Sequence, residues 1–169
     1  MAPPDIGGSS PAGPPGHLVR RFFSVSFARG LDADEQRWVA TLLRPAEVDG
    51  FWAQPIADQR HGHDCARWVA ERTDRPDLVR AALLHDIGKR HARLGPIGRS
   101  VATIAAALGF DGPERFRRYT RHGPEAAREL AEAGAEPLVV TFAAHHHGER
   151  PDTIAAEAWD LLQRADRLT

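Results

Sequence analysis

An apolar run of this sequence ends in a histidine and an aspartate, and three cations follow. In the stretch ALLHDIGKRHARLG, residues 81–94, His85 and Asp86 come directly after Leu84. Neighbouring side chains on a helix point about 100 degrees apart, so these two reach one pocket only if it lies across the helix end. An imidazole beside a carboxylate can bind a divalent metal, and nearby cations can neutralise a phosphate. The cations are Lys89, Arg90 and Arg93.

Two further polar side chains fall on helical stripes that are otherwise apolar. Within residues 56–72 the stripe contains His61, whereas His63 falls on the polar side, so His61 is predicted to point inward. Near the carboxyl end the stripe contains Asp166. A lone buried carboxylate is costly, and we therefore expect a positive group opposite it. Taken alone, such a histidine is more often a hydrogen-bonded core residue, and such an aspartate is about as often a solvated helix end as a buried group.

Four of the histidines that lie between Asp86 and Asp166 are further candidates. His146 shares a helical stripe with Phe142, and either His147 or His145 lies beside it, while His122 stands directly before Gly123. Imidazoles combined with two carboxylates form the ligand mixture that borderline divalent metals prefer. The combination therefore favours a metal site.

Length and composition indicate one ordinary domain. The chain has 169 residues, a formal net charge of -1 and a single cysteine. This charge argues against binding through bulk electrostatics, so we expect no specific nucleic-acid partner. One cysteine excludes an intramolecular disulfide, and neither a membrane span nor a secretory signal is evident, so we expect a cytoplasmic protein.

The organisation along the chain predicts an all-α fold, because apolar positions recur with helical spacing and strand-like alternation is absent. Residues 1–16 read as a disordered Pro/Gly-rich tail, 17–55 as N-terminal helices packed on the bundle, and 56–169 as the main domain. The predicted helices span 18–28, 32–43, 45–53, 56–72, 76–87, 96–108, 114–120, 124–134, 136–147 and 152–168. Asp32 and Asp152 are the predicted N-caps, and Gly88 and Gly109 the predicted helix stops.

The order His61, then His85-Asp86, then a distant Asp166 resembles the HD-domain superfamily of metal-dependent phosphohydrolases, which are helical bundles with an H…HD…D pattern. The resemblance covers residues 56–169. It implies that these four residues bind one metal ion. It also implies that Lys89, in the continuation HDIGK, assists phosphate or solvent.

Many members add one histidine and then a His-His pair, which create a second metal site bridged by the HD aspartate. His122 and His146-His147 resemble these additions, although His145-His146 stays an alternative pair. The cyclic-dinucleotide phosphodiesterase branch called HD-GYP also carries a Gly-Tyr-Pro signature, which this sequence lacks, so cyclic-di-GMP cleavage is not expected. One or two ions of iron, manganese, cobalt, nickel or zinc are compatible with these ligands.

The resemblance implies hydrolysis of a phosphomonoester or phosphodiester, with a nucleotide as the expected substrate, through attack of a metal-activated water. Asp86 and Lys89 are the expected catalytic residues, and Lys89, Arg90 and Arg93 the expected phosphate contacts. One alternative is a non-catalytic, metal-containing module that binds a nucleotide or phosphometabolite. Another is a metal ion that only holds the bundle together. Residues 17–55 are candidates for a pocket cover or a homodimer contact.

Overall fold

The computed structural model of the protein describes residues 29–110 and 112–169. Within these ranges the chain forms nine α-helices, one 3-10 helix and no strand, which confirms the all-α prediction. The α-helices are α1 Ala33–Leu42, α2 Pro45–Trp52, α3 Ile56–Ala70, α4 Pro76–Leu84, α5 Pro96–Ala107, α6 Glu114–Thr120, α7 His122–Glu132, α8 Pro137–His145 and α9 Ala156–Leu168, and the 3-10 helix is Ile87–Ala92. None of these described helices is long and apolar enough to cross a membrane. The predicted tail and the predicted helix over 18–28 lie outside the described residues.

Helix α4 is the centre of the bundle. It is apolar on almost every side, and α3, α8 and α9 pack against it. Leu83 and Leu84 are fully buried, and each such leucine stabilises the fold by about 1.5–3 kcal/mol. The backbones of α3 and α4 touch at Gly62, where a Cβ atom would lie 2.6 Å from the Leu83 carbonyl oxygen. A side chain at Gly62 would push α3, and His61 with it, away from α4.

Helices α1 and α2 lie against this bundle and are attached to it by ion pairs, of which the α2 pair is buried. Asp32 is the N-cap of α1, as predicted, because its side chain accepts from the backbone N–H groups of Asp34 and Glu35. On α2, Glu47 is buried, and its Oε1 accepts from Arg80 Nη2 of α4 at 2.6 Å. Removing one partner of such a pair would leave an unpaired buried charge, at a cost of about 3–5 kcal/mol.

The contact of α1 with α3 corrects the prediction for His63. That residue was assigned to the polar side of its helix, but it is only 6% exposed. The Trp38 ring of α1 packs edge-on against the His63 ring, with 5.5 Å between the ring centroids. The Arg67 guanidinium lies 4.8 Å from the centroid of the Trp38 ring. Helical periodicity places His63 opposite the bundle, but it does not show that α1 covers that face.

Two predicted helix boundaries are also wrong. Helix α4 ends at Leu84, and the chain turns at His85 and Asp86 into the 3-10 helix, so Gly88 lies within a helix and is not a stop. Asp152 is not an N-cap, because a turn in which Ile154 N–H donates to the Pro151 carbonyl precedes α9. Gly109 does end α5, with a φ of +71° in the left-handed region that favours glycine.

Candidate metal centre

The structure brings together all seven residues that the sequence predicts as metal ligands. Most of them lie at or beside the ends of helices, and these ends meet around the Asp86 carboxylate. The residues are His61 on α3, His85 and Asp86 after α4, His122 at the start of α7, His146 and His147 after α8, and Asp166 near the end of α9.

Each oxygen of the Asp86 carboxylate faces a different pair of histidines. Oδ1 is 3.0 Å from His122 Nε2 and 3.4 Å from His146 Nε2. Oδ2 is 3.5 Å from His85 Nε2 and 3.8 Å from His61 Nε2, and it also accepts from Lys89 Nζ. The carboxylate is therefore positioned between two neighbouring groups of nitrogen ligands, as a bridging ligand would be.

Hydrogen bonds to the backbone orient the three buried rings. The Nδ1 atoms of His85, His122 and His146 lie 2.9, 2.7 and 3.0 Å from the carbonyl oxygens of Ala82, Tyr119 and Ala143. A carbonyl oxygen can only accept, so each Nδ1 carries the hydrogen. In the neutral rings Nε2 then presents a lone pair toward Asp86. Metal-binding histidines are oriented by the same kind of contact.

The surroundings of the Nε2 atoms fit a divalent metal. The Nε2 atoms of His122 and His146 are only 3.3 Å apart. His85 Nε2 is buried and makes no hydrogen bond with any described residue. Neighbouring lone pairs and a carboxylate repel one another unless a cation lies among them. Nitrogen and carboxylate ligands together suit iron, manganese, cobalt, nickel and zinc.

Asp166 completes the side of the cluster formed by α3 and α4. Its Oδ1 lies 3.1 Å from His61 Nε2 and 3.4 Å from His85 Nε2. Burial raises the pKa of the Asp166 carboxyl, but the hydrogen bond to His61 and the nearby His85 ring outweigh burial and hold the pKa well below its usual range. The groups opposite this inward aspartate are thus histidines rather than an arginine or a lysine.

The groups around Asp86 keep its carboxylate ionised. Burial raises the pKa of this carboxyl, but the positive charges of the Lys89 ammonium and of protonated His85 outweigh that effect and hold the pKa well below its ordinary value. On the opposite side, burial lowers the pKa of His146, which favours its neutral, metal-binding form.

The three consecutive histidines have different surroundings. His146 is buried in the cluster, and the ligand atoms of Asp86, His122, His146 and His147 all lie within 4.8 Å of one another. His147 is more exposed, with its ring centroid 5.1 Å from that of His122. His145 is exposed and does not belong to this group. Of the two pairs left open by the sequence, the geometry groups His146 with His147.

Cys65 is a neighbour of the cluster that the sequence did not single out as a ligand. It forms a second compact group with His61 and His85, and its Sγ lies 3.7 Å from His61 Nε2. The four-residue separation from His61 was the available signal, because such residues share a helix face. Burial raises the pKa of this thiol, which keeps it protonated in the absence of metal.

Lys89 contacts the Asp86 carboxylate, whereas Arg90 contacts a carboxylate outside the cluster. The Arg90 guanidinium makes two 2.6 Å hydrogen bonds to the Glu129 carboxylate. Arg90 and Arg93 line a separate cavity. Their contact with a substrate phosphate stays a prediction.

Comparison with known proteins agrees with this geometry. The HD domain family model matches residues 56–169. Searches of curated proteins and of solved structures gave no match. The matched residues contain every member of the cluster, from His61 to Asp166, and HD domains bind divalent metals. Over this range, which is more than half of its length, the chain belongs to the HD domain family.

Proposed function

We propose that the protein is a metal-dependent phosphohydrolase that cleaves a phosphomonoester or a phosphodiester. The observation that carries the proposal is the set of Nε2 lone pairs that face the Asp86 carboxylate beside the buried Lys89 ammonium. The proposed ligands of one or two divalent transition metal ions are His61, His85, Asp86, His122, His146, His147 and Asp166.

Metal bound at this site would supply Lewis acidity, which lowers the pKa of a water molecule and stabilises negative charge on phosphoryl oxygens. Asp86 keeps its negative charge at neutral pH and is positioned between the two groups of histidines. The carbonyl contacts of His85, His122 and His146 hold the three rings in one tautomer, so these ligands need little reorganisation.

Lys89 is proposed to stabilise the charge that develops on the phosphoryl group. It is the only lysine in the chain, whereas the other 21 basic residues are arginines. Lys89 is 5% exposed and its ammonium contacts Asp86 Oδ2, so a phosphate held at the metal site would lie within reach of this compact charge. Arginine is longer and planar, and it would not place its charge at the same point.

The substrate class rests on this local chemistry. A metal site beside a buried ammonium suits a phosphoryl group and leaves the remainder of the substrate unspecified. Nucleotides are the first substrates to test, since the HD-domain resemblance of the sequence implies them.

The test measures metal content and hydrolysis on the same samples. Chelated protein is reloaded separately with manganese, iron, cobalt, nickel or zinc. Metal per chain is then measured by elemental analysis, and phosphate release from p-nitrophenyl phosphate, bis(p-nitrophenyl) phosphate and a nucleotide panel is followed. We expect Asp86→Asn to lose both metal and turnover. His122→Ala should lose one ion if two bind, and Lys89→Met and Lys89→Arg should keep the metal but lose about 100-fold or more in rate.

Two results would contradict the proposal in different ways. Metal content that is unchanged in Asp86→Asn would show that the ion binds elsewhere. Metal bound as expected, with no phosphate released from any ester while nucleotides raise the melting temperature, would favour a binding module without catalysis.

A further inference from the structure

The cavity lined by Arg90 and Arg93 lies beside the 3-10 helix and shares no lining residue with the metal cluster. We propose that it binds a phosphorylated ligand through arginines, independently of any metal ion. The cavity has a volume of about 870 Å3, which is within the range of small-molecule binding sites.

Three separate segments contribute charge to this cavity. Arg90 and Arg93 come from the 3-10 helix and its end, Arg115 and Arg118 from α6, and Arg128 from α7. These five arginines face two glutamates in the same lining, in a chain whose formal net charge is -1. Glu129 and Glu132 lie outside this lining but pair with Arg90 and Arg128, so an excess of one positive charge remains at the cavity, carried by Arg93 and Arg115. Such an excess attracts anions.

The 3-10 helix separates the cavity from the metal cluster. Successive side chains on a 3-10 helix point about 120 degrees apart, because it has three residues per turn. Lys89 contacts Asp86 in the cluster, whereas the next residue, Arg90, contacts Glu129 and lines the cavity. The two neighbouring cations therefore serve two different sites.

Two of the cavity's arginines are available for a ligand. Arg90 is paired with Glu129, and Arg118 with Glu114 at 2.8 Å. By contrast, no residue in the described part of the chain forms an ion pair with Arg93 or Arg115. Guanidinium groups bind phosphate oxygens through paired, charge-assisted hydrogen bonds, so these two side chains would recognise a phosphate.

The Glu125 carboxylate favours a ligand that carries a hydrogen-bond donor. This residue also lines the cavity, and its Oε2 atom is buried without a hydrogen-bond partner among the described residues. A buried carboxylate oxygen without a donor is unfavourable. A ligand that presents a hydroxyl or amino group besides its phosphates would satisfy it once the Glu125 side chain turns toward the cavity. The lining therefore suits a nucleotide better than a simple inorganic anion.

The experiment measures binding of ATP and of inorganic tripolyphosphate by calorimetry to the full chain in excess EDTA. Chelation removes metal from the cluster, so hydrolysis does not interfere. We expect one ATP per chain, an affinity that falls with salt, and weaker binding of tripolyphosphate. Arg93→Gln/Arg115→Gln should weaken ATP binding by at least about tenfold. The matched control Arg37→Gln/Arg72→Gln removes the same charge from exposed sites elsewhere and should keep the affinity within about twofold.

Further variants separate this proposal from binding at the metal cluster. Glu125→Gln should weaken ATP binding more than tripolyphosphate binding, and Lys89→Met should leave both unchanged. Circular dichroism checks that each variant is folded. The proposal is overturned if neither probe saturates at millimolar concentration, or if the control pair loses as much affinity as the cavity pair. It is equally overturned if Lys89→Met abolishes binding while the cavity pair has no effect.

Discussion

The Nε2 atoms of His122 and His146 lie 3.3 Å apart, although the Nδ1 atom of each ring donates to a backbone carbonyl. In the neutral rings, two lone pairs therefore face each other beside the Asp86 carboxylate. The two residues are 24 positions apart and meet because α7 packs against α8. Helix packing has thus created a position that only a proton or a metal ion can stabilise.

The three consecutive histidines allow a matched comparison. His146→Ala should reduce metal per chain and abolish turnover, because it removes a buried ligand of the Asp86 group. His145→Ala should leave both unchanged, since His145 is exposed and lies outside that group. Elemental analysis and a phosphate-release assay measure the outcome. Loss of metal in His145→Ala with retention in His146→Ala would reverse the assignment.

Metal affinity should decrease as the pH falls. Burial lowers the pKa of His85, but the Asp86 and Asp166 carboxylates raise it by more, so in the metal-free protein it exceeds the ordinary value of 6.5. Above this pKa the ring is neutral and Nε2 can bind metal. Below this pKa the metal ion must displace a proton from the ring, so its affinity should fall by up to about tenfold for each pH unit. Titrations with cobalt at pH 8, 7 and 6 measure the effect, and a flat affinity across this range would contradict it.

The contact of the 3-10 helix with α7 should be intolerant of any side chain. A Cβ atom on Gly88 would lie 2.4 Å from the His122 carbonyl oxygen and 2.9 Å from the Ala126 nitrogen. Gly88→Ala should therefore cost about 1–3 kcal/mol and weaken metal binding, because Asp86 and Lys89 move relative to His122. Gly30→Ala is the control, since nothing lies within 4 Å of its Cβ position. Urea unfolding gives the free energies, and equal losses in both variants would refute this role.

The attachment of α1 to α3 should weaken in acid. Hydrogen bonding to Arg60 and to the Asp32 backbone lowers the pKa of Glu35 from 4.5 to about 2. Because the folded pKa lies below the unfolded value, this stabilisation is complete above about pH 4.5 and disappears as the pH falls toward 2. Glu35→Gln should cost about 1 kcal/mol at pH 7. The difference in melting temperature between wild type and Glu35→Gln should then shrink as the pH is lowered from 5 to 3, and a constant difference would contradict this origin.

The sequence by itself predicted the helical class. Together with the resemblance to the HD-domain superfamily it also pointed to residues that the structure brings together, although it left open whether His145 or His147 accompanies His146. The helical class and the inward position of Asp166 depend on local information. Asp32 caps a helix through backbone groups two and three residues away, and the position of Asp166 on an apolar stripe follows from helical periodicity. An inward carboxylate is costly without a partner, so its presence signalled a site before any contact was known.

Tertiary packing decided the surroundings that periodicity does not encode. Helix α1 buries His63, Glu129 engages Arg90, and α7 lies so close to the 3-10 helix that only glycine fits at position 88. Each of these contacts joins residues more than 20 positions apart in the chain. Helical spacing tells which face of its own helix a residue occupies, but the element that covers that face is chosen by the packing of the whole bundle.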